Sequence, residues 1–140
     1  NIREKDAFLV ENIMPIQQTG KLRLITDNQE IFPGLELRLV NGHTVGQMVP
    51  VIHYGDKKII FTADLIPTVA HIPLLFNMAY DLFQLDTIRE KSEFLEEAYK
   101  NNYILFFEHD VYNECCDLKK TERGIRASNT FKLDDWLNSK

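Results

Sequence analysis

Three strands are predicted within LELRLVNGHTVGQMVPVIHYGDKKIIFTAD, the stretch at residues 35–64 that decides the fold. Residues 35–40 alternate apolar and polar side chains, as half-buried strands do. Residues 48–54 are almost continuously apolar, which indicates a strand buried on both faces. Residues 58–63 follow after Gly55-Asp56-Lys57, which is typical of a tight hairpin connection. The stretch therefore predicts a largely antiparallel sheet.

Helical patterns flank these strands. The other predicted elements are a helix at 3–18, a short strand at 22–25, a helix at 86–101, strands at 103–107, 115–120 and 124–131, and a helical turn at 133–137. Residues 64–85 contain two prolines and no sustained period, which predicts a long loop of the kind that often carries function. The fold class is α/β or α+β, with a mostly antiparallel sheet covered by helices.

The composition is that of a soluble globular domain. The 140 residues are one domain's worth of chain, with 44% hydrophobic and 26% charged residues. A net charge of -5 argues against a nucleic-acid partner, which needs a basic face. No apolar run approaches the roughly 20 residues of a membrane span, so no membrane partner is expected. The two cysteines, Cys115 and Cys116, are adjacent, which favours reduced thiols and a cytoplasmic location.

Side chains that can bind metals follow three of the predicted strands. His43 follows the strand at 35–40 and lies inside Gly42-His43-Thr44-Val45-Gly46. Asp64 directly follows the strand at 58–63, and His109 closes the run that begins at Tyr103. Two imidazoles and one carboxylate at strand ends form a partial metal shell. Taken singly, each also has a plain structural interpretation, as a turn histidine, a capping carboxylate or a core histidine.

The order and spacing of three motifs resemble the metallo-β-lactamase superfamily of metal-dependent hydrolases. The motifs are Gly42-His43-Thr44-x-Gly46, Phe61-Thr62-Ala63-Asp64 and Glu108-His109-Asp110. The resemblance is greatest to the bacterial branch with acyl-homoserine-lactonase-like and methyl-parathion-hydrolase-like enzymes. It covers nearly the whole chain and implies that residues 1–140 are the C-terminal half of such a domain, one half of an αββα sandwich.

The resemblance also implies a dinuclear centre with two divalent metal ions, zinc being the default. His43 would bind the first ion, Asp64 would bridge both ions, and His109 would bind the second. Ions held in this way would activate water as hydroxide for attack on an ester or lactone carbonyl. No catalytic side chain beyond these ligands is implied. His71 would contact the substrate from the long loop, although a loop histidine packed between apolar neighbours is an equal interpretation.

The sequence departs from the family pattern in one respect. The signature His-x-His-x-Asp-His, which supplies most metal ligands, does not occur in the chain. Each ion would have at most two protein ligands here, whereas catalytic zinc takes three and a water. The chain also begins without an initiator methionine. We therefore expect a half-domain that is inactive alone, with its N-terminal half missing or on another chain, and that self-associates or pairs with that half.

Several functions remain open at this point. The first is a metal-dependent hydrolase of carboxylic esters or lactones. A phosphotriester or β-lactam hydrolase is the alternative within the same chemistry, because the same hydroxide attacks either centre. A non-catalytic binding or assembly module that retains half of the fold is the alternative from another class. Asp81 and Asp110 are candidates for accepting hydrogen bonds from ligand imidazoles, or else are capping carboxylates.

Overall fold

The computed structural model describes residues 2, 4–5 and 8–139. Within that part of the chain, seven strands form one sheet whose spatial order is the chain order. The strands are β1 (Gln29–Phe32), β2 (Leu35–Val40), β3 (Gln47–Tyr54), β4 (Lys57–Phe61), β5 (Ile104–Phe106), β6 (Cys115–Thr121) and β7 (Gly124–Phe131). The helices are α1 (Val10–Gln18), α2 (Gln84–Lys100) and α3 (Leu133–Asn138). The predicted α+β class is confirmed.

Strand direction follows from the lengths of the connections. Neighbouring strands are antiparallel except β4 and β5, which pair in parallel. Parallel neighbours need a long crossover, and α2 lies within it. By contrast, β3 and β4 are joined by the two residues Gly55 and Asp56, and Gly55 has a φ of 60°. The tight hairpin predicted there is confirmed.

Helix α2 covers one face of the sheet. Its side chains Phe94, Leu95 and Ala98 are buried in a core that also contains Val49, Val51, Ile60, Leu105, Cys116 and Ile125. Residues next to these in the strands point to the opposite face, because side chains alternate along a strand. A smaller cluster lies there, where Ile59, Ile104 and Cys115 meet Trp136 from α3.

The second face of the sheet is only partly covered in the described structure. Helix α3 reaches Tyr54, whose ring centre lies 6.0 Å from that of Trp136. On the same face, Met48 and Ile52 are 46% and 41% exposed. The prediction that the strand at 48–54 is buried on both faces is therefore wrong here, because nothing among the described residues covers this part of the sheet.

The N-terminal elements differ most from prediction. The helix predicted at 3–18 begins at Val10, and three residues of the predicted segment, Arg3, Asp6 and Ala7, lie outside the described residues. Helix α1 buries none of its side chains. The strand predicted at 22–25 is wrong, since that segment is irregular. The first strand is instead Gln29–Phe32, which pairs with β2.

The remaining predictions agree more closely with the structure. The long loop before α2 contains two single-turn 3₁₀ helices, Ala63–Leu65 and Val69–His71. Strands β6 and β7 lie where strands were predicted and pair with each other, and α3 follows them. Cys115 and Cys116 are free and buried, and burial raises the pKa of each thiol to about 12. No helix in the described part of the chain has the length and apolar character to span a bilayer.

Candidate metal centre

The loop that carries His43 lies directly against α2. A Cβ atom on Gly42 would lie 2.3 Å from the backbone nitrogen of Thr87, in the first turn of that helix. Real side-chain carbons keep a distance of about 3.5 Å or more from such atoms. Only glycine therefore fits at position 42, and its presence allows the end of β2 to touch α2.

Hydrogen bonds fix this contact from both sides. The backbone N–H groups of Asn41 and Gly42 donate to the two carboxylate oxygens of Glu90, at 2.9 and 3.0 Å. In return, the carbonyl oxygens of Gly42 and His43 accept the N–H groups of Phe83 and Leu82, at 2.8 and 3.1 Å. His43 therefore sits on a backbone that is held rigidly to the N-terminal end of α2.

The imidazole of His43 is oriented by Asp81. Its Nδ1 lies 2.9 Å from Oδ1 of Asp81, which is only 3% exposed. A carboxylate only accepts hydrogen bonds, so this contact places a proton on Nδ1 and leaves Nε2, which faces Asp64, as the nitrogen that can bind a metal ion. This is the arrangement of a metal-binding histidine supported by a carboxylate. Of the two candidate supporting carboxylates, Asp81 makes this contact.

Asp64 lies between the two histidines. It follows β4 in the 3₁₀ helix Ala63–Leu65, where Ala63 has a φ of 45°, a backbone conformation that non-glycine residues rarely adopt. One carboxylate oxygen lies 3.6 Å from Nε2 of His43, and the other lies 3.1 Å from Nε2 of His109. The structure thus brings together the three residues that the sequence singled out as metal ligands.

These distances fit ligands of a shared ion. Two ligands at about 2.1 Å from one zinc ion, at a tetrahedral angle, lie about 3.4 Å from each other. The separations from Asp64 to His43 and to His109 are 3.6 and 3.1 Å, on either side of that value. Each carboxylate oxygen faces a different imidazole, which is what a carboxylate that bridges two ions requires. The donor set therefore fits divalent metal ions.

His109 lies in the loop after β5, and Asp110 organises that loop. The N–H of His109 donates to the carbonyl of Pro67 at 3.2 Å. The carboxylate of Asp110 accepts the N–H groups of Val69, Tyr112 and Asn113 at 2.9 to 3.0 Å. Burial opposes the ionised form of Asp110, but these hydrogen bonds prevail and lower its pKa. Asp110 is thus a loop-organising carboxylate.

Glu108 is a further candidate ligand that the sequence interpretation did not assign. One ligand atom from each of Asp64, Glu108 and His109 lies within 4.8 Å of the other two. The signal was present in the sequence, because Glu108 directly precedes His109 in a quoted motif. The sequence did not show which way the Glu108 side chain points, because a side chain at the end of a strand can turn to either face of the sheet.

His71 forms hydrogen bonds within its own loop and with α2. Its Nδ1 lies 2.8 Å from Oγ1 of Thr68, and its carbonyl accepts a hydrogen bond from Lys91. Burial and the nearby ammonium of Lys91 lower the pKa of His71, and the Asp81 carboxylate opposes them. A contact between His71 and a substrate stays a prediction.

Two cavities open beside the candidate ligands. A cavity of about 510 Å³ lies next to His43 and Asp64, and its other lining residues are Glu4, Phe8, Thr44, Tyr80 and Leu82. The ring of Tyr80 stands edge-on to His43, with 6.0 Å between ring centres. A second cavity of about 440 Å³ lies beside His109. The cluster is therefore accessible to a small molecule from either side.

Solved structures with this fold include metal-dependent hydrolases. A probable metal-dependent hydrolase from Staphylococcus aureus matches with a TM-score of 0.77 and 26% identity, over 94% of this chain and 48% of that one. AidC, a dizinc quorum-quenching lactonase in complex with a product, matches at 0.66 and 21% identity, over 87% and 42%. The hydrolase AbOPH of the beta lactamase superfamily matches at 0.66 and 17% identity, over 86% and 42%.

These likenesses confirm the predicted metallo-β-lactamase fold. The chain spans about half the length of the solved structures that it matches, which is consistent with a C-terminal half. The assignment of residues 1–140 as that half stays a prediction. No protein-family model and no curated protein matches the sequence.

Proposed function

We propose that the chain is half of a metal-dependent hydrolase that cleaves carboxylic esters or lactones. The observation that carries this proposal is the Asp64 carboxylate, whose oxygens lie 3.6 and 3.1 Å from the Nε2 atoms of His43 and His109. In this proposal His43 binds one divalent ion, His109 binds a second and Asp64 bridges them, with zinc as the default metal. Ions bound there would supply a hydroxide nucleophile at neutral pH and stabilise the developing oxyanion.

The surrounding residues have separate tasks in this proposal. Asp81 keeps the His43 ring in the orientation and tautomer that binding requires, while Asp110 holds the loop of His109. The cavity of about 510 Å³ is within the size range of small-molecule sites. Phe8, Tyr80 and Leu82 give it apolar walls, which suit the acyl part of an ester or lactone. A phosphotriester or β-lactam would meet the same nucleophile and is the alternative substrate class.

The N-terminal half of the fold is the partner that we propose for the uncovered sheet face. The uncovered sheet face consists of the side chains of Leu35, Leu37, Leu39, Met48, Pro50 and Ile52. Met48 and Ile52 are exposed, Leu35, Leu39 and Pro50 are half-buried, and Leu37 is buried among its neighbours. The register pairs Leu35 with Ile52, Leu37 with Pro50 and Leu39 with Met48, so these apolar residues form one continuous surface. In an αββα sandwich this is where the second sheet packs. The N-terminal half would cover it and would complete the ligand set.

A non-catalytic module is the alternative from another class. Two protein ligands per ion, or three where Glu108 takes part, are few for a catalytic centre. The coding sequence upstream discriminates between the two proposals. A His-x-His-x-Asp-His motif within roughly 150 residues upstream, one domain's length, would support the hydrolase. A cytoplasmic, bacterial setting likewise stays a proposal.

Metal content and activity of the longer product test the function. We expect Asp64→Asn to lower the bound metal from two ions to at most one and to abolish hydrolysis of lactone and ester substrates. His53→Ala is the matched control, because His53 is an exposed histidine in the same chain, at the end of β3. Phosphotriester and β-lactam substrates are assayed in parallel. Unchanged metal content and activity in Asp64→Asn would overturn the proposal.

A further inference from the structure

Lys91 is completely buried, in the middle of α2. It shares the inner side of the helix with Thr87, Phe94 and Ala98, which are also buried. A buried charge is costly unless it is paired or fully hydrogen-bonded. Burial lowers the pKa of Lys91 to about 8, with the nearby Asp81 carboxylate opposing that shift. A lysine at a core position is therefore expected to have specific hydrogen-bond partners.

The ammonium group is bound by one short segment. Its Nζ lies 3.2, 3.2 and 2.9 Å from the carbonyl oxygens of His71, Pro73 and Phe76, and 2.7 Å from Oδ1 of Asn77. The three N–H groups of the ammonium therefore serve four oxygens, with one N–H shared. We call these four oxygens the carbonyl cage. Methionine, which has the same length, supplies no donor, and a neutral amine supplies only two, so the ammonium is the form that best satisfies the carbonyl cage.

The carbonyl cage is connected to Asp81. The amide group of Asn77 accepts from Lys91 and donates to the carbonyl of Gln84 at 3.2 Å, which closes a loop around residues 77–84. Within that loop, the N–H of Asp81 donates to Met78 at 3.2 Å, and Leu82 donates to His43. The position of Asp81 thus depends on a loop of which Lys91 fixes one end.

We propose that Lys91 is a positioning residue for the metal centre: its ammonium, held in the carbonyl cage, fixes residues 71–81 so that Asp81 meets Nδ1 of His43. With Nδ1 bound to Asp81, Nε2 is the nitrogen of His43 that faces Asp64. The contribution to hydrolysis rests on the proposed function. The claim about position does not, and it is tested on the metal-free chain without substrate.

The first test compares Lys91→Met with Lys120→Met. Methionine keeps the length of the lysine side chain without its charge, and Lys120 is an exposed lysine that pairs with Glu96. We expect Lys91→Met to speed amide hydrogen exchange at Asp81 and Leu82 at least tenfold, with little change at Val51 in the core of the sheet. The ¹⁵N signals of His43 should show loss of the Nδ1–H tautomer. Lys120→Met should change neither signal.

A second variant covers the case in which Lys91→Met does not fold. Lys91→Ala leaves space for n-propylammonium, which replaces the missing carbons and the ammonium. We expect this ion, at millimolar concentration, to restore the fold and the His43 signals, whereas n-propanol should not. Normal amide exchange and an unchanged His43 tautomer in Lys91→Met would overturn the proposal. An unfolded Lys91→Met together with no rescue of Lys91→Ala would overturn it equally.

Discussion

Replacing Gly42 by alanine is expected to destabilise the chain and to displace His43. The new Cβ would lie 2.3 Å from the nitrogen of Thr87, 2.4 Å from its Oγ1 and 2.5 Å from its Cα. Two of these are backbone atoms of α2, so a rotamer change cannot relieve the clash. The loop and the helix would have to separate by about 1 Å to reach normal contact distance.

The cost can be bounded from the contacts at this junction. Overpacking of this kind typically costs about 1–3 kcal/mol. Four hydrogen bonds join the loop to the start of α2, two of them to the Glu90 carboxylate. At about 1 kcal/mol each, their complete loss would cost about 4 kcal/mol. We therefore expect Gly42→Ala to lower the free energy of unfolding by about 3 kcal/mol, a large part of the 5–15 kcal/mol typical of a domain.

Gly46→Ala is the matched control within the same motif. Gly46 has a φ of 75°, but a Cβ there would meet no atom within 4 Å. Only the strain of a left-handed backbone remains, which costs about 1–2 kcal/mol. Urea unfolding of the two variants and the wild type measures the difference, provided that the m-values agree. If Gly42→Ala loses no more stability than Gly46→Ala, the close approach of loop and helix is not real.

Acid sensitivity, zinc binding and self-association can each be tested on the chain. Glu97→Gln should reduce the acid sensitivity of the fold. Hydrogen bonds from Arg38 at 2.6 and 2.8 Å lower the pKa of Glu97 in the folded chain. The stabilisation from this ion pair is therefore complete above the ordinary pKa of 4.5 and is lost as the pH falls through the lower pKa of the folded state. Urea midpoints at pH 6 and pH 3 measure this, and an equal drop in wild type and variant would contradict it. The 140-residue chain should bind zinc weakly or not at all, because each ion finds too few protein ligands; isothermal titration of the chelator-treated chain tests this, and stoichiometric binding of two ions at nanomolar affinity would show that the missing ligands are not needed. The chain alone should self-associate at micromolar concentration through the uncovered sheet face, and Ile52→Lys should shift it towards monomer in light scattering; a compact wild-type monomer that binds no hydrophobic dye would refute this.

The elements that the sequence predicted well are those with a local signal. Strand β2 and the hairpin after β3 were predicted within a residue, because period-two alternation and a Gly-Asp turn are local features. The three candidate ligands were found for the same reason, since each follows such a strand. The structure places their side chains next to one another, while their role as metal ligands stays a prediction.

The features that the sequence did not predict depend on residues far away in the chain. Strand β1 exists because β2 offers a pairing edge, while the more apolar segment at 22–25 finds no partner strand in the described structure. The exposed side of β3 was predicted as buried because an apolar run is the same whether or not a second layer is present. Lys91 did carry a signal, a charged residue within the apolar stripe of a helix, but only the structure shows the carbonyl cage that receives it.

One turn of α2 organises both sides of the candidate metal centre. Thr87 touches Gly42, Glu90 holds the backbone before His43, and Lys91 holds the segment that leads to Asp81. The three positions are spaced i, i+3 and i+4, so they lie on one side of the helix. The next turns carry Phe94, Leu95 and Ala98 into the core. The first half of the helix therefore positions the residues of the candidate site, and the second half contributes apolar side chains to the core. Substitutions in the first group should change the geometry at His43 and the free energy of unfolding together, whereas those in the second should change the free energy of unfolding alone.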